Sequence, residues 1–130
     1  MKRDWHLIQE ILEAIEQNKV RCHWNSLESA ESKRLVLLHY DLLQESGLIT
    51  NYVLDSDMDD DFHVEYHPKF TPEAPGAPYM HLTMAGYDLL EVLRDRQLWN
   101  AITSKAKGLS VKLTWEFIRQ AIPVIYKSLL

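Results

Sequence analysis

The sequence predicts an α+β fold of the winged-helix type, and three observations carry that reading. A helix-like run from Glu31 to Glu45 stops at Ser46-Gly47-Leu48-Ile49. Two extended stretches follow, with an acidic segment between them and a Pro-rich segment after them. The chain then returns through Met80-His81-Leu82-Thr83 into another helical run. Helix, strand pair, return strand and helix is the order in which a winged helix is assembled. The expected helices lie near 4–18, 30–46, 84–106 and 114–129, and the expected antiparallel sheet is made from 48–54, 62–67 and 79–82. Residues 1–83 would form the core with its long wing, and 84–130 a helical extension packed on it within a single domain.

A chain of 130 residues and 15.3 kDa fits one domain. Its 46% apolar and 25% charged residues are ordinary globular values. The net charge of −5 bears more directly on function. Affinity for a nucleic-acid backbone comes from clustered Lys and Arg, so this balance disfavours nonspecific binding to it. The lone Cys22 has no internal disulfide partner and is expected to be a small buried residue in a reducing compartment. After Met1-Lys2-Arg3, the polar Asp4, His6, Gln9 and Glu10 interrupt any leader-like run. No apolar stretch approaches the ~18 residues of a membrane span, so a cytoplasmic protein without membrane contact is expected.

In chain order, Asp4 is suited to cap a helix along which Trp5, Ile8, Leu12 and Ile15 recur at spacings of three and four, with Ile11 beside them. Val20, Cys22 and Trp24 alternate with Arg21 and His23, which predicts a first short strand before Asn25-Ser26. Ser29 or Ser32 caps the next helix, whose apolar side gathers Leu35, Val36, Leu38, Leu42 and Leu43. Its other side shows Lys33, Arg34, Leu37, Tyr40, Asp41, Gln44 and Glu45. Gly47 sits where a left-handed helix end is expected, with Leu48 sealing it.

Ile49–Leu54 and Phe62–His67 follow as strands, the second with strict alternation of Phe62, Val64 and Tyr66 against His63, Glu65 and His67. Between them Asp55, Asp57, Asp59, Asp60 and Asp61 form an exposed acidic tip. Pro68, Pro72, Pro75, Gly76 and Pro78 mark a surface loop. Thr83 then caps a helix with Gly86, Leu89, Leu90 and Leu93 on one face. Its continuation, Leu98, Trp99, Ile102 and Ala106, is rotated, which predicts a break near Arg94–Gln97 and an end at Lys107-Gly108. Thr114 caps the last helix, striped by Trp115, Ile118, Ile122, Ile125 and Leu129, with Pro123 inside it as a kink.

These pieces resemble a family of uncharacterised small winged-helix proteins of bacterial prophages and phages. The matching residues are Met1-Lys2-Arg3-Asp4 with Leu7-Ile8 and Ile11-Leu12, then His39-Tyr40, Leu42-Leu43 and Gly47-Leu48-Ile49. Leu82-Thr83-Met84-Ala85-Gly86-Tyr87, Leu89-Leu90, Arg94-Asp95 and Leu98-Trp99-Asn100 continue the set in order over most of the chain. The resemblance implies the fold and a mobile-element setting, and it carries no catalytic motif. This chain departs from that pattern in a longer, more acidic, more Pro-rich wing and in Met84-Ala85 where Trp-Glu is usual.

Several residue groups invite a chemical reading. His63, Glu65 and His67 share a strand face that His81 would meet from the returning strand, a set of metal-ligand types. Histidines four apart on a strand stand ~13 Å apart, so a solvated sheet face is expected and no metal. Asp55, Asp57, Asp59 and Asp61 have the odd spacing of a calcium loop, but the sixth position is Asp60 and the twelfth Tyr66, where glycine and glutamate belong. Cys22 and His23 are adjacent, but neighbours on a strand point to opposite faces and cannot act as nucleophile and base. No enzyme and no cofactor is expected.

The expectation is therefore a protein-binding role, as inhibitor or adaptor of a host or defence protein. Asp55, Asp57, Asp59, Asp60 and Asp61, with Tyr40, Asp41 and Glu45, are the contact residues, the acidic wing standing in for phosphates. The alternative is a sequence-specific DNA-binding regulator using Lys2, Arg3, Lys33, Arg34 and Lys69, a reading that rests on fold alone. The terminal stripe Trp115, Ile118, Ile122, Ile125 and Leu129 either completes the core or pairs with a second copy, and a homodimer is expected.

Overall fold

The computed structural model describes residues 3–55, 63–66 and 80–129. Over these the chain is α+β: six helices and a three-stranded antiparallel sheet. The chain divides into two compact units, Met1–Tyr87 and Asp88–Leu130.

The first unit begins with α1 (Trp5–Glu16), whose Asp4 carboxylate accepts from the Leu7 N–H at 3.1 Å. Ile8, Ile11, Leu12 and Ile15 are buried along one stripe, as their spacing predicts. The helix ends at Asn18, held at φ 57, where the Asn18 N–H donates to the Ile15 carbonyl and the Lys19 N–H to that of Ala14. Next comes α2 (Val20–Ser26), which corrects the expected strand. Val20 and Trp24 are buried while Cys22 between them is exposed. Positions i, i+2 and i+4 satisfy a strand, but i and i+4 alone satisfy one turn of helix, and a run this short does not separate the two. The expected burial of Cys22 falls with the strand.

Ser29 caps α3 (Ala30–Glu45), accepting from the Ser32 N–H at 3.0 Å. The helix closes at Gly47, φ 73, with the Gly47 N–H donating to the Gln44 carbonyl and the Leu48 N–H to that of Leu43. This is the left-handed end expected there. β1 (Ile49–Asp55) leads out of the turn and is the central strand of the order β2-β1-β3. β2 (His63–Tyr66) pairs with it from Tyr52↔Tyr66 to Asp55↔His63, and β3 (Met80–Leu82) from Ile49↔Leu82 to Asn51↔Met80. α1 lies against α2, α3 and β3, and α3 against β1.

α4 (Met84–Arg94) begins in this unit and crosses the division. Its start is fastened to the end of α3. The Thr83 hydroxyl donates to the Gly47 carbonyl at 2.7 Å and accepts from the Gly86 N–H at 3.1 Å, while the Thr83 N–H donates to the Leu48 carbonyl at 3.1 Å. The approach is so close that a Cβ on Gly86 would collide with the Leu48 carbonyl oxygen.

In the second unit the helical run breaks at Asp95, as the rotated stripes predict. Its carboxylate caps α5 (Arg96–Gly108) by accepting from the Leu98 N–H at 3.1 Å. α5 runs through Gly108, two residues past the expected 106. The left-handed residue is Ser110 at φ 53, with the Ser110 N–H donating to the Lys107 carbonyl and the Val111 N–H to that of Ala106. Thr114 caps α6 (Trp115–Leu129), which continues through Pro123 and packs on α5.

Candidate functional site

Helix α3 decides which surface the first unit offers. Its buried residues are Val36, His39, Tyr40 and Leu43, at i, i+3, i+4 and i+7, an arc of ~100°. Tyr40, expected on the outward side as a contact residue, is 1% exposed, and the expected apolar side is corrected with it. Leu35 and Leu38 are each 38% exposed and Leu42 is half-buried. With His39 and Tyr40 inside, the buried face is rotated from the expected apolar side by about 70°. The spacing i, i+3, i+4, i+7 is the ordinary one for a buried helix face once both side chains are counted in the core.

The burial of His39 is complete and its polarity is answered. The Asp4 N–H donates to Nε2 at 3.0 Å, and Nδ1, facing the Leu35 carbonyl at 2.9 Å, donates to it. The ring thus joins the cap of α1 to α3. Burial pushes the Tyr40 hydroxyl well above the usual tyrosine pKa and keeps it un-ionised.

What α3 leaves outside is a second, narrower stripe. Leu35, Leu38 and Leu42 recur at i, i+3 and i+7 within ~60° of arc. Asp41, Glu45 and Arg34 flank Leu38 on the side away from the core, and Glu31 continues the stripe toward the helix start, all four exposed. Lys33 instead lies with Nζ 5.3 Å from the centroid of the Trp24 ring, within cation–π reach.

The other expected contacts divide between the described residues and those outside them. Asp57, Asp59, Asp60 and Asp61 lie outside the described residues, as do Lys2, Lys69 and His67. Asp55 ends β1 and pairs in register with His63, which starts β2. His81 is exposed on β3. The Glu10 carboxylate stands between two histidines, 3.2 Å from His6 Nε2 and 3.6 Å from His23 Nε2. Among the described residues no group of His, Cys, Asp and Glu is arranged to hold a metal ion. No helix among them is long and apolar enough to cross a membrane.

The terminal stripe is partly covered within the chain. Ile118 and Ile125 are buried and Trp115 and Ile122 half-buried, so much of this face is already covered within the chain; the side chain of Leu129 lies outside the described residues. The outward side of α6 carries Val124 and Tyr126.

Residues 2–112 match the family described as Hypothetical protein (DUF2513). The chain belongs to that family. Neither a curated protein nor a solved structure matches it. In this DUF2513 protein the matched residues take in α1 to α5, the candidate surface on α3 among them, and stop short of α6.

Proposed function

We propose that this protein is a non-enzymatic winged-helix module of a phage or mobile element that acts by binding another protein, as an inhibitor or adaptor of a host or defence component. One observation carries the reading: α3 turns Leu35 and Leu38 outward beside Asp41, Glu45 and Glu31. Exposed leucines gain by being covered, at roughly 25 cal/mol per Å² of apolar surface, whereas a phosphate backbone is repelled by the carboxylates around them. The order α3, β1, β2, β3 supports the winged-helix assignment, and the sequence resemblance supports the mobile-element setting.

The DNA-binding alternative draws less support. Of its five cations, Lys33 sits on Trp24, Arg3 is half-buried and Arg34 is exposed among carboxylates, while Lys2 and Lys69 lie outside the described residues. A photo-crosslinking amino acid at position 38 tests the choice in lysate of a host strain. The expected product is a protein adduct that disappears when Leu35→Asn is added. A nucleic-acid adduct, together with a gel shift on the protein's own upstream DNA, would reverse the conclusion.

A further inference from the structure

The α3 surface also specifies the chemistry of what covers it, granted the protein-binding reading above. We infer that its occupant is an amphipathic helix whose apolar stripe is bordered by Lys or Arg. Leu35, Leu38 and Leu42 fall at i, i+3 and i+7, so they form a straight ridge along one heptad of helix. A ridge of that geometry is matched by the grooves between side chains of a second helix laid along it.

The charges then choose among candidate helices. On α3 itself Glu31, Asp41 and Glu45 are exposed around the ridge with one exposed cation, Arg34, beside them. A second copy of α3 docked on the first would bring the three carboxylates of each against those of the other, and like charges at close range oppose association. The chain's own acidic segment, Asp57 to Asp61, carries the same sign and is no better suited. A helix flanked by cations satisfies the carboxylates and the leucines together.

The experiment uses the full chain and three synthetic peptides of about 18 residues, long enough to form a helix on contact. All have the same composition of leucines. One places them at i, i+3, i+7 with Lys on the flanks, one replaces the flanking Lys by Glu, and one keeps Lys but scrambles the leucines. Titration calorimetry at low salt is expected to give the Lys-flanked peptide about tenfold tighter binding than either other peptide, an advantage that shrinks as salt screens the flanks. Leu35→Asn with Leu38→Asn should remove the binding. Asp41→Lys with Glu45→Lys should reverse the preference toward the Glu-flanked peptide, and a circular-dichroism melt of each variant confirms that it folds.

Equal binding of the ordered and scrambled Lys peptides reduces the effect to bulk charge and overturns the inference. So does equal binding of the Lys- and Glu-flanked peptides, or no binding by any. In each of those cases a protein adduct at position 38 would leave the protein-binding reading standing, whereas a nucleic-acid adduct removes both.

Discussion

The imidazole of His39 has one chemical form that fits its place. Nε2 accepts from the Asp4 N–H and Nδ1 donates to the Leu35 carbonyl, roles of opposite sign that the neutral ring supplies. His39→Leu fills much of the volume but leaves the Asp4 N–H without that acceptor, so a loss of about 2–3 kcal/mol is expected in a urea melt. Its neighbour Tyr40 gives a pH signature. Burial raises its pKa above the unfolded value, so its contribution is complete below about pH 10 and is lost as pH rises beyond that, by up to ~1.4 kcal/mol per unit. Melts from pH 9 to 12 should show wild type losing stability faster than Tyr40→Phe. Two backbone positions add opposite signs. Gly86→Ala drives a methyl into the Leu48 carbonyl and is expected to cost about 1–3 kcal/mol. Ser110→Gly relieves a left-handed serine and should gain about 0.5–1 kcal/mol, both read as shifts of the thermal midpoint.

Among the elements, α3 carries the test that bears on both stability and recognition. Asp41 and Glu45 lie toward its negative end, so Asp41→Lys with Glu45→Lys should raise helix stability by a few tenths of a kcal/mol while changing what the outward face attracts. Elements announced by a cap and a long stripe were legible in the sequence. Asp4 with Ile8, Ile11, Leu12 and Ile15 gave α1, Gly47 with Leu48 gave the end of α3, and the rotated stripes gave the break at Asp95. Two stretches were not legible, each for a physical reason. Val20–Trp24 is too short for its period to separate helix from strand, and it became α2. His39 and Tyr40 look polar one residue at a time but are interior residues once one has its hydrogen bonds and the other its burial. The outward leucine stripe, the core of the candidate site, was missed as a direct result, because Leu35 and Leu38 had been assigned to the interior.

For the whole molecule, the buried terminal stripe predicts how the chain fails. Ile118→Asp places a carboxylate where the side chain is fully buried, so it should unfold the second unit, at a cost above about 4 kcal/mol. Light scattering combined with circular dichroism checks this: lost helix signal is expected, and a folded species of half the mass would instead mark the stripe as an interface. Cys22, exposed on α2, should react with a thiol reagent in the native protein without denaturant.

The fastening of Thr83 to Gly47 and Leu48 has a consequence for how such a sequence can diverge. Thr83 is held by one hydrogen bond to Gly47, 36 positions earlier, and by another to Leu48, and Ile49↔Leu82 pairs directly beside them. Everything between β1 and β3 is therefore inserted at a closed junction, and lengthening a closed loop adds only about 0.6 kcal/mol per doubling. Changes of length in 56–62 or 67–79, on either side of β2, are therefore expected to cost the helices little, a point that thermal melts of insertion variants would check.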